Sequence, residues 1–434
     1  MIKKYKNTTI KNMKFIDSEI LYNRFIDKNS PLVKIHDKID FSFVNKLCDG
    51  IYSDDGQHAY SPELVFRVCF IQFYKKGLSD NEVVKQCKTN MEYRYFCNLA
   101  IDDELFDDCK LSRFRKDIGT AKFKEIFDMV VEKIKNAGFL TDEDVQYLDS
   151  FLFLADVKIV SINALLSKAI FHALKNLNLE DSEMTADYRK RDFELSEEEQ
   201  KRRFVFLVRK AQLILALAKN KKLSDAGQKA VNLLCRIVKE RAEIKGEVIR
   251  KKKKDEEKDK IISVSDTDAR MMGKSEQKIL PSYKSHNAMT KKGFITYTDV
   301  THATTYDGKH AYTVVSDLKS RGFKVPVSVG DNHYGDIDFR KDMAGEDTLV
   351  VAPYRKNQVK VSCMTDDVMI KAWEYNHTDE YKEHRRIRAH IEPKQGEMKN
   401  LHGMKRALFR GLDKVRVQNF MSAIVTNCKL LISS

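Results

Sequence analysis

Val145–Asp156, VQYLDSFLFLAD, is the stretch on which the reading of the fold turns. Before it, the apolar residues return at helical spacing; here the period changes to a β-like apolar run. Asp149 stands inside that run, where a bland strand would carry Val or Ile. A buried carboxylate without a partner costs on the order of several kcal/mol or takes up a proton, and a bound cation removes that cost. Two readings stay open from spacing alone: a strand-end residue that caps a loop, or a ligand. Asp156, at the far end of the stretch, reads as the N-cap of the helix that follows.

Downstream, residues 160–250 return to helical spacing in INALLSKAIFHALKNL, RRFVFLVRKAQLILALAK and AGQKAVNLLCRIVKERAEI, ending in the charged run RKKKKDEEKDK (Arg250–Lys260), a solvated helix end or linker. Strand signals resume at Ile261 with IISVSD, then KILPSYKSHNAMT and GFITYTDVTHAT, the last two joined through KKG as in a hairpin. A helix in KHAYTVVSDLKSRG, a strand in VPVSVG, a helix in IDFRKDMAG, a strand in TLVVAPY and about a hundred helical residues complete the chain. The order describes a mixed α/β domain whose first strand is separated from the rest by a helical insertion.

Upstream, residues 61–120 read as a compact helical module. Ser61 is the N-cap of a helix with Pro62 in its first position, Gly77 stops it, and Ser79 with Glu82 makes a capping box for the next. Helix, glycine turn, helix is the spacing of a helix-turn-helix, and Arg113, Arg115 and Lys116 lie on a third helical start. The alternative is an ordinary three-helix bundle with a basic surface.

The whole chain has 434 residues, 42% of them apolar, enough to build two or three cores. Its 78 Lys and Arg against 64 Asp and Glu leave a net charge of +14, which favours a polyanionic partner through counterion release. No apolar run approaches the roughly 18 to 20 residues of a membrane span, and the basic N-terminus lacks a signal-peptide core, so a cytoplasmic protein is expected. The 8 cysteines form no C-x-x-C pair and read as reduced, buried thiols rather than a zinc site or disulfide framework.

Further carboxylates attract attention. Asp331 follows VPVSVG, at the carboxyl end of a strand where α/β proteins place ligand groups, although a loop aspartate after glycine also makes turns. Asp336 and Asp338 read as the cap and first turn of the next helix. In RIRAHIEPKQGEMKNLHG (Arg386–Gly403), Glu392 shares one helical face with Arg388 and Lys399, whereas Glu397 points away toward neighbouring bases. Pro393 directly after Glu392 predicts a kink or restart of that helix. Two aspartates near strand ends and a glutamate on a helix suit Mg²⁺, and a pair of such ions clamps the oxygens of a phosphodiester displacement.

The sequence resembles the DDE transposases of bacterial insertion sequences, with an InsH-type N-terminal domain and a ribonuclease-H-like catalytic domain, from about residue 40 to 432. YSPELVFRVCFIQFYKKGLSDNEVVKQC through LSRFRKDIG resembles the N-terminal module, YLDSFLF the first catalytic strand, GDNHYGD the second aspartate's loop and RIRAHIEPKQGEMKNLHG onward the glutamate helix. The resemblance implies that Asp149, Asp331 and Glu392 are the catalytic, metal-binding triad for two Mg²⁺ or Mn²⁺ ions. It implies that Arg388 and Lys399 are the Arg and Lys of the Y-x2-R-x3-E-x6-K signature, while Arg385 takes the place of its tyrosine, with Tyr381 one turn earlier. Arg385, Arg113 and Arg115 join Arg388 and Lys399 as expected DNA contacts.

The expected architecture is an α/β, ribonuclease-H-like mixed sheet flanked by helices. A helical DNA-binding domain would span residues 1–140, the catalytic domain 141–159 and 261–434, and a helical insertion with charged linker 160–260. The expected partners are double-stranded DNA, as terminal inverted repeats and target, and a second copy of the chain in a homodimer on DNA, with no membrane. The expected location is a bacterial cytoplasm, at the nucleoid. A related nuclease and an inactive, DNA-binding relic are the competing readings.

Overall fold

The computed structural model describes residues 2–3, 18–51, 57–58, 60–187, 192–219, 221–252, 259–273, 279–354 and 366–433. Two short strands, β1 (Ile2–Lys3) and β2 (Gln57–His58), pair in parallel. The N-terminal helices are α1 (Ser18–Phe25), α2 (Pro31–Lys38), α3 (Phe43–Leu47), α4 (Pro62–Tyr74), α5 (Asp80–Thr89), α6 (Met91–Phe96) and α7 (Cys109–Asn136). Local chemistry sets their ends. Ser61 Oγ accepts the Leu64 N–H, and Pro62 occupies a first-turn position that needs no N–H. Gly77, at φ 75°, turns the chain into α5, which Ser79 and Glu82 start with a reciprocal capping box. Gly119, at φ 75° and ψ 167°, divides α7 into two helical segments.

The stretch around Asp149 is strand β3 (Gln146–Leu154). Two compact units meet along the chain at its end: one comprises residues 1–153, 284–301 and 305–434, the other 154–283 and 302–304.

The second unit contains α8 (Ile162–Asn176), α9 (Ser182–Asp187), α10 (Glu197–Lys219) and α11 (Asp225–Arg241), then strands β4 (Ala242–Lys245), β5 (Val248–Lys251) and β6 (Arg270–Met272). Leu166, Ile170, Leu207, Val208, Leu234 and Ile237 make its core. Here three expectations are corrected. Ser161, not Asp156, caps α8, its Oγ accepting the Ala164 N–H; a cap must directly precede the first helical residue, and Asp156 lies too far upstream. The helical pattern stops at Arg241, because Gly246 at φ 58° supplies the two-residue turn of an antiparallel hairpin between β4 and β5. Arg250 and Lys251 therefore lie in a strand, and residues 253–258 of the charged run fall outside the described residues. IISVSD forms no strand: Ser263 Oγ accepts the Ser265 N–H and Asp266 Oδ1 the Asp268 N–H, local bonds that compete with a ladder. The pairing strand is β6, antiparallel to residues 280–282.

Those residues open β7 (Leu280–Met289), which runs on into the first unit. There follow β8 (Ile295–His302), α12 (Asp307–Ser320), β9 (Val327–Val329), α13 (Ile337–Gly345) and β10 (Leu349–Val351). The last helices are α14 (Asp367–Tyr375), α15 (Asp379–Ala389), α16 (Ile391–Leu401) and α17 (Leu412–Ser433). The sheet runs β10-β9-β3-β7, with β8 also on β7. Pairing is parallel through β10, β9 and β3, and β7 returns through a turn at Gly293 (φ 87°) to β8. The result is a mixed sheet in a helical frame.

Helix α17 is the pillar of this unit. It packs on α2, α4 and α7 and is buried nearly throughout, Gln418, Asn419, Ser422, Thr426 and Asn427 included. Its amides are spent on backbone and strand side chains. Asn427 Nδ2 donates to the Ile295 carbonyl and its Oδ1 accepts the Ile295 N–H, both at 2.8 Å, which serves β8 as a further strand would. Asn419 joins Thr298 of β8 to Ser285 of β7.

Among the described residues, no helix is long and apolar enough to cross a membrane. The described cysteines are free thiols, buried except for half-buried Cys235 and exposed Cys109; Cys363 lies outside the described residues.

Asn427→Leu keeps the branched side-chain shape but strands the Ile295 N–H and C=O. It should cost about 2–4 kcal/mol in urea unfolding, since a buried unpaired polar group loses its full solvation; an unchanged midpoint would contradict this role for the amide.

Candidate active site

The pairing of β3 with β9 juxtaposes the two aspartates. Gln146 lies opposite Ser328 and Tyr147 opposite Val329, so carrying the parallel register on brings Asp149 level with Asp331. Asp149 occupies the middle of its strand rather than a strand end, so it caps no loop. Its Oδ1 accepts the Ser150 N–H at 3.0 Å, and Arg388 Nη1 lies 3.8 Å from the same oxygen. The side chain is 16% exposed, and burial pushes its carboxyl up to about 6. Arg388 and the Ser150 N–H pull the other way; Asp331 and Glu392 are near enough to raise it further.

Asp331 leaves the sheet immediately after β9. Its Oδ1 accepts the His333 N–H at 2.8 Å, and Asp336 caps α13 by accepting the Asp338 N–H. Asp331 thus has one oxygen engaged in its own loop, while Asp336 and Asp338 belong to the next helix.

Glu392 lies in the first turn of α16 and is exposed. The proline effect is resolved by a restart. His390, at φ −76° and ψ −8°, closes α15 and opens α16, leaving Pro393 in a first turn where its missing N–H is not needed. Arg388 and Glu392 consequently sit on two helices that meet at His390 rather than on one continuous helix, with Glu392 and Lys399 together on the second. Arg388, in the last turn of α15, reaches Asp149 instead of pairing with Glu392 along a helix. Lys399, in the last turn of α16, sets its Nζ 4.5 Å from the Phe151 ring centroid, two residues along β3 from Asp149.

The remaining cationic candidates divide. Arg385 is exposed and lies 6.0 Å from the ring of Tyr381, which is itself buried. Arg113 is exposed on α7. Arg115 turns inward, paired with Asp80 and 4.5 Å over the Phe409 ring. That guanidinium ties α5 to α7 and leaves Arg113 as the outward one. Sequence spacing could not separate the two, because the partners Asp80 and Phe409 are distant in the chain.

Glu397 has a different environment from Glu392. Its carboxylate meets His402 Nε2, Lys394 and Lys429 at 3.3, 3.1 and 3.2 Å, and is held down to about 2, with the His402 bond the largest cause. His402 in turn engages the Phe73 carbonyl of α4 at 3.2 Å. Beside it Gly403 abuts Gly77: a Cβ on either glycine would lie 3.1 Å from the other's Cα. Lys429 and His402 carried no signal in the sequence that linked them to Glu397 beyond their charge.

Among the described residues, no three His, Cys, Asp or Glu side chains converge closely enough to hold an ion by themselves. The donor types are still those that a hard cation takes: one carboxylate on a strand, one in the loop after a strand and one on a helix, the first of them buried at an energetic cost that a cation would offset.

Two family models match the chain: a transposase domain (DUF772) over residues 20–117 and a transposase DDE domain over residues 256–428. Asp331 and Glu392 fall within the second match; Asp149 falls in neither. Comparisons with curated proteins and with solved structures gave no match.

The sign of the Asp149 shift makes a prediction. A carboxyl raised in the folded state stabilises the protein below its unfolded value near 3.8, and that contribution is lost as pH rises through about 6. Asp149→Asn should therefore stabilise the metal-free protein at pH 7.5 by on the order of 2 kcal/mol, from the size of the shift. The gain should fade between pH 6 and 4. Thermal unfolding in chelator across that range is the measurement, and a pH-independent difference would refute the assignment of a raised carboxyl.

Proposed function

We propose, because the chain belongs to the DDE transposases of insertion-sequence type, that Asp149, Asp331 and Glu392 are its catalytic carboxylates. The fold is the ribonuclease-H-like mixed sheet that this membership implies. The observation that carries the proposal is the buried Asp149 carboxyl on β3, beside Arg388 and close enough to Asp331 and Glu392 to be driven upward by both.

The reaction is hydrolysis of DNA at the ends of the element, followed by attack of the freed 3′-hydroxyl on target DNA. Two Mg²⁺ or Mn²⁺ ions on the triad would supply Lewis acidity at the attacking and leaving oxygens. The chain's own contribution is position and charge. Asp149 comes from β3 and Asp331 from the turn that follows the adjacent β9, and Glu392 approaches on a helix. Arg388 lies beside Asp149 and partly offsets its charge, and its forked guanidinium would suit a DNA phosphate at the same site. Lys399 and Arg385 add cationic charge along the same two helices, offsetting the charge that develops on the phosphate.

The helices of residues 1–140 would grip the terminal inverted repeats, with Arg113 outward on α7 and Arg115 bracing α5 beneath it. Residues 141–159 and 261–434 would form the catalytic domain and 160–260 an insertion within it. Two copies would pair two ends on DNA, in the cytoplasm at the nucleoid.

Linear DNA carrying the inverted repeats that flank the gene, incubated with the protein and Mg²⁺, should be cut at the element ends and joined to a target plasmid. Glu392→Ala should lower cleavage by roughly a thousandfold, the scale expected when a group stabilising the transition state is removed, while DNA binding stays within about threefold. Cleavage that survives the change removes Glu392 from the triad. Cutting without joining would make the protein a nuclease.

A further inference from the structure

Asp331 follows Gly330, and the space above that glycine is filled by Tyr334. A Cβ built on Gly330 would stand 2.5 Å from the Tyr334 Cβ and 2.6 Å from its Cγ, closer than side chains approach, and the backbone there is not left-handed. Close approach alone requires the glycine. The Tyr334 N–H donates to the Asp331 carbonyl at 3.1 Å, so the ring folds back over the turn that begins at the aspartate. On the other side of that turn, the Gly330 N–H donates to the Val351 carbonyl of β10 at 2.9 Å.

The ring is 3% exposed. Ser150 and the charged Asp307, Asp149 and Asp331 surround its hydroxyl, and burial with these anions holds it protonated. Ser150 is also the residue whose N–H donates to the Asp149 carboxylate. One tyrosine thus touches the residue before one aspartate and the residue after the other.

The loop is secured elsewhere as well. The buried Arg340 donates to the Val350 and Ala352 carbonyls at 2.7 Å, and a Cβ on Gly335 would meet its Nη2 at 3.0 Å. Gly308, in the first turn of α12, would bring a Cβ within 2.8 Å of the His333 carbonyl. With its base held by β10, α13 and α12, the loop folds the tyrosine back toward Ser150 of β3, beyond the point where the β9–β3 pairing ends.

We propose that Tyr334 is a positioning residue that sets the separation of the Asp149 and Asp331 carboxylates, and with it the affinity of the site for divalent cations. The proposal rests on the reading of these aspartates as metal ligands. A strut of this kind acts through the ligands: its loss loosens the site without removing a donor.

The test uses the full-length chain and Mn²⁺, with binding to DNA-free protein followed by electron paramagnetic resonance and end cleavage titrated with the metal. Tyr334→Leu and Gly330→Ala should each weaken Mn²⁺ binding by about tenfold or more, as outer-shell changes do at metal sites. The Mn²⁺ needed for half-maximal cleavage should rise in parallel, with DNA affinity within about twofold of wild type. A Tyr334→Leu protein that melts earlier but binds Mn²⁺ as tightly as wild type overturns the proposal, since the ring then serves packing alone. If the leucine variant does not fold, Tyr334→Phe decides, because it keeps the ring and deletes the hydroxyl that faces Ser150. Wild-type Mn²⁺ affinity in the phenylalanine protein is then the overturning result. Asp331→Asn separates the premises: if it too leaves Mn²⁺ binding unchanged, the reading of the triad has failed, and the strut with it.

Discussion

A polar helix buried at the centre of the first unit is the constraint from which the rest of that unit follows. Gln418, Asn419, Thr426 and Asn427 of α17 are fully buried, a composition that would be prohibitive if the groups went unpaired. Asn419 and Asn427 are matched to strands β7 and β8, and Gln418 to the backbone of residues 403, 406 and 408. Apolar contacts tolerate sliding; these bonds do not. The sheet and the N-terminal helices are consequently fixed against one helix, in one register.

The acidic site shows the opposite economy. Asp149 is placed where its charge is unwelcome, and the guanidinium beside it, that of Arg388, stands 3.8 Å away, beyond hydrogen-bond length. The folded chain is less stable for this arrangement at neutral pH, as sites assembled for chemistry commonly are. Glu397 is the foil: four residues after Pro393, it has three partners and a strongly lowered carboxyl, so its charge contributes stability above about pH 4.5 that is lost as the pH falls toward 2. Two glutamates of one helix thus have contrasting surroundings, one exposed near the acidic site and one enclosed by bases.

Much of this was legible in the sequence where the physics is local. Ser61, Pro62, Ser79 and Glu82 declare their helices because a cap needs only its own turn. Asp149 was conspicuous as a charge inside an apolar strand, and Asp331 as an aspartate beyond a strand terminus. What escaped depends on partners remote in the chain. Nothing in LSRFRKDIG distinguishes the inward Arg115 from the outward Arg113. The β4–β5 hairpin was masked by residues that also suit a helix, and only Gly246 marked it. The break at His390 moved the helix boundary two residues upstream of Glu392, because the first turn of a new helix accepts a proline that an interior does not.

The contact of Gly77 with Gly403 has a mechanical meaning. Gly77 makes the turn between α4 and α5, and Gly403 follows the helix that bears Glu392; His402 beside it holds the Phe73 carbonyl. With both positions at positive φ and no room for a side chain between them, the two backbones pack directly against each other. A DNA end gripped by the α4–α5 module would therefore be presented to the carboxylates at one fixed offset.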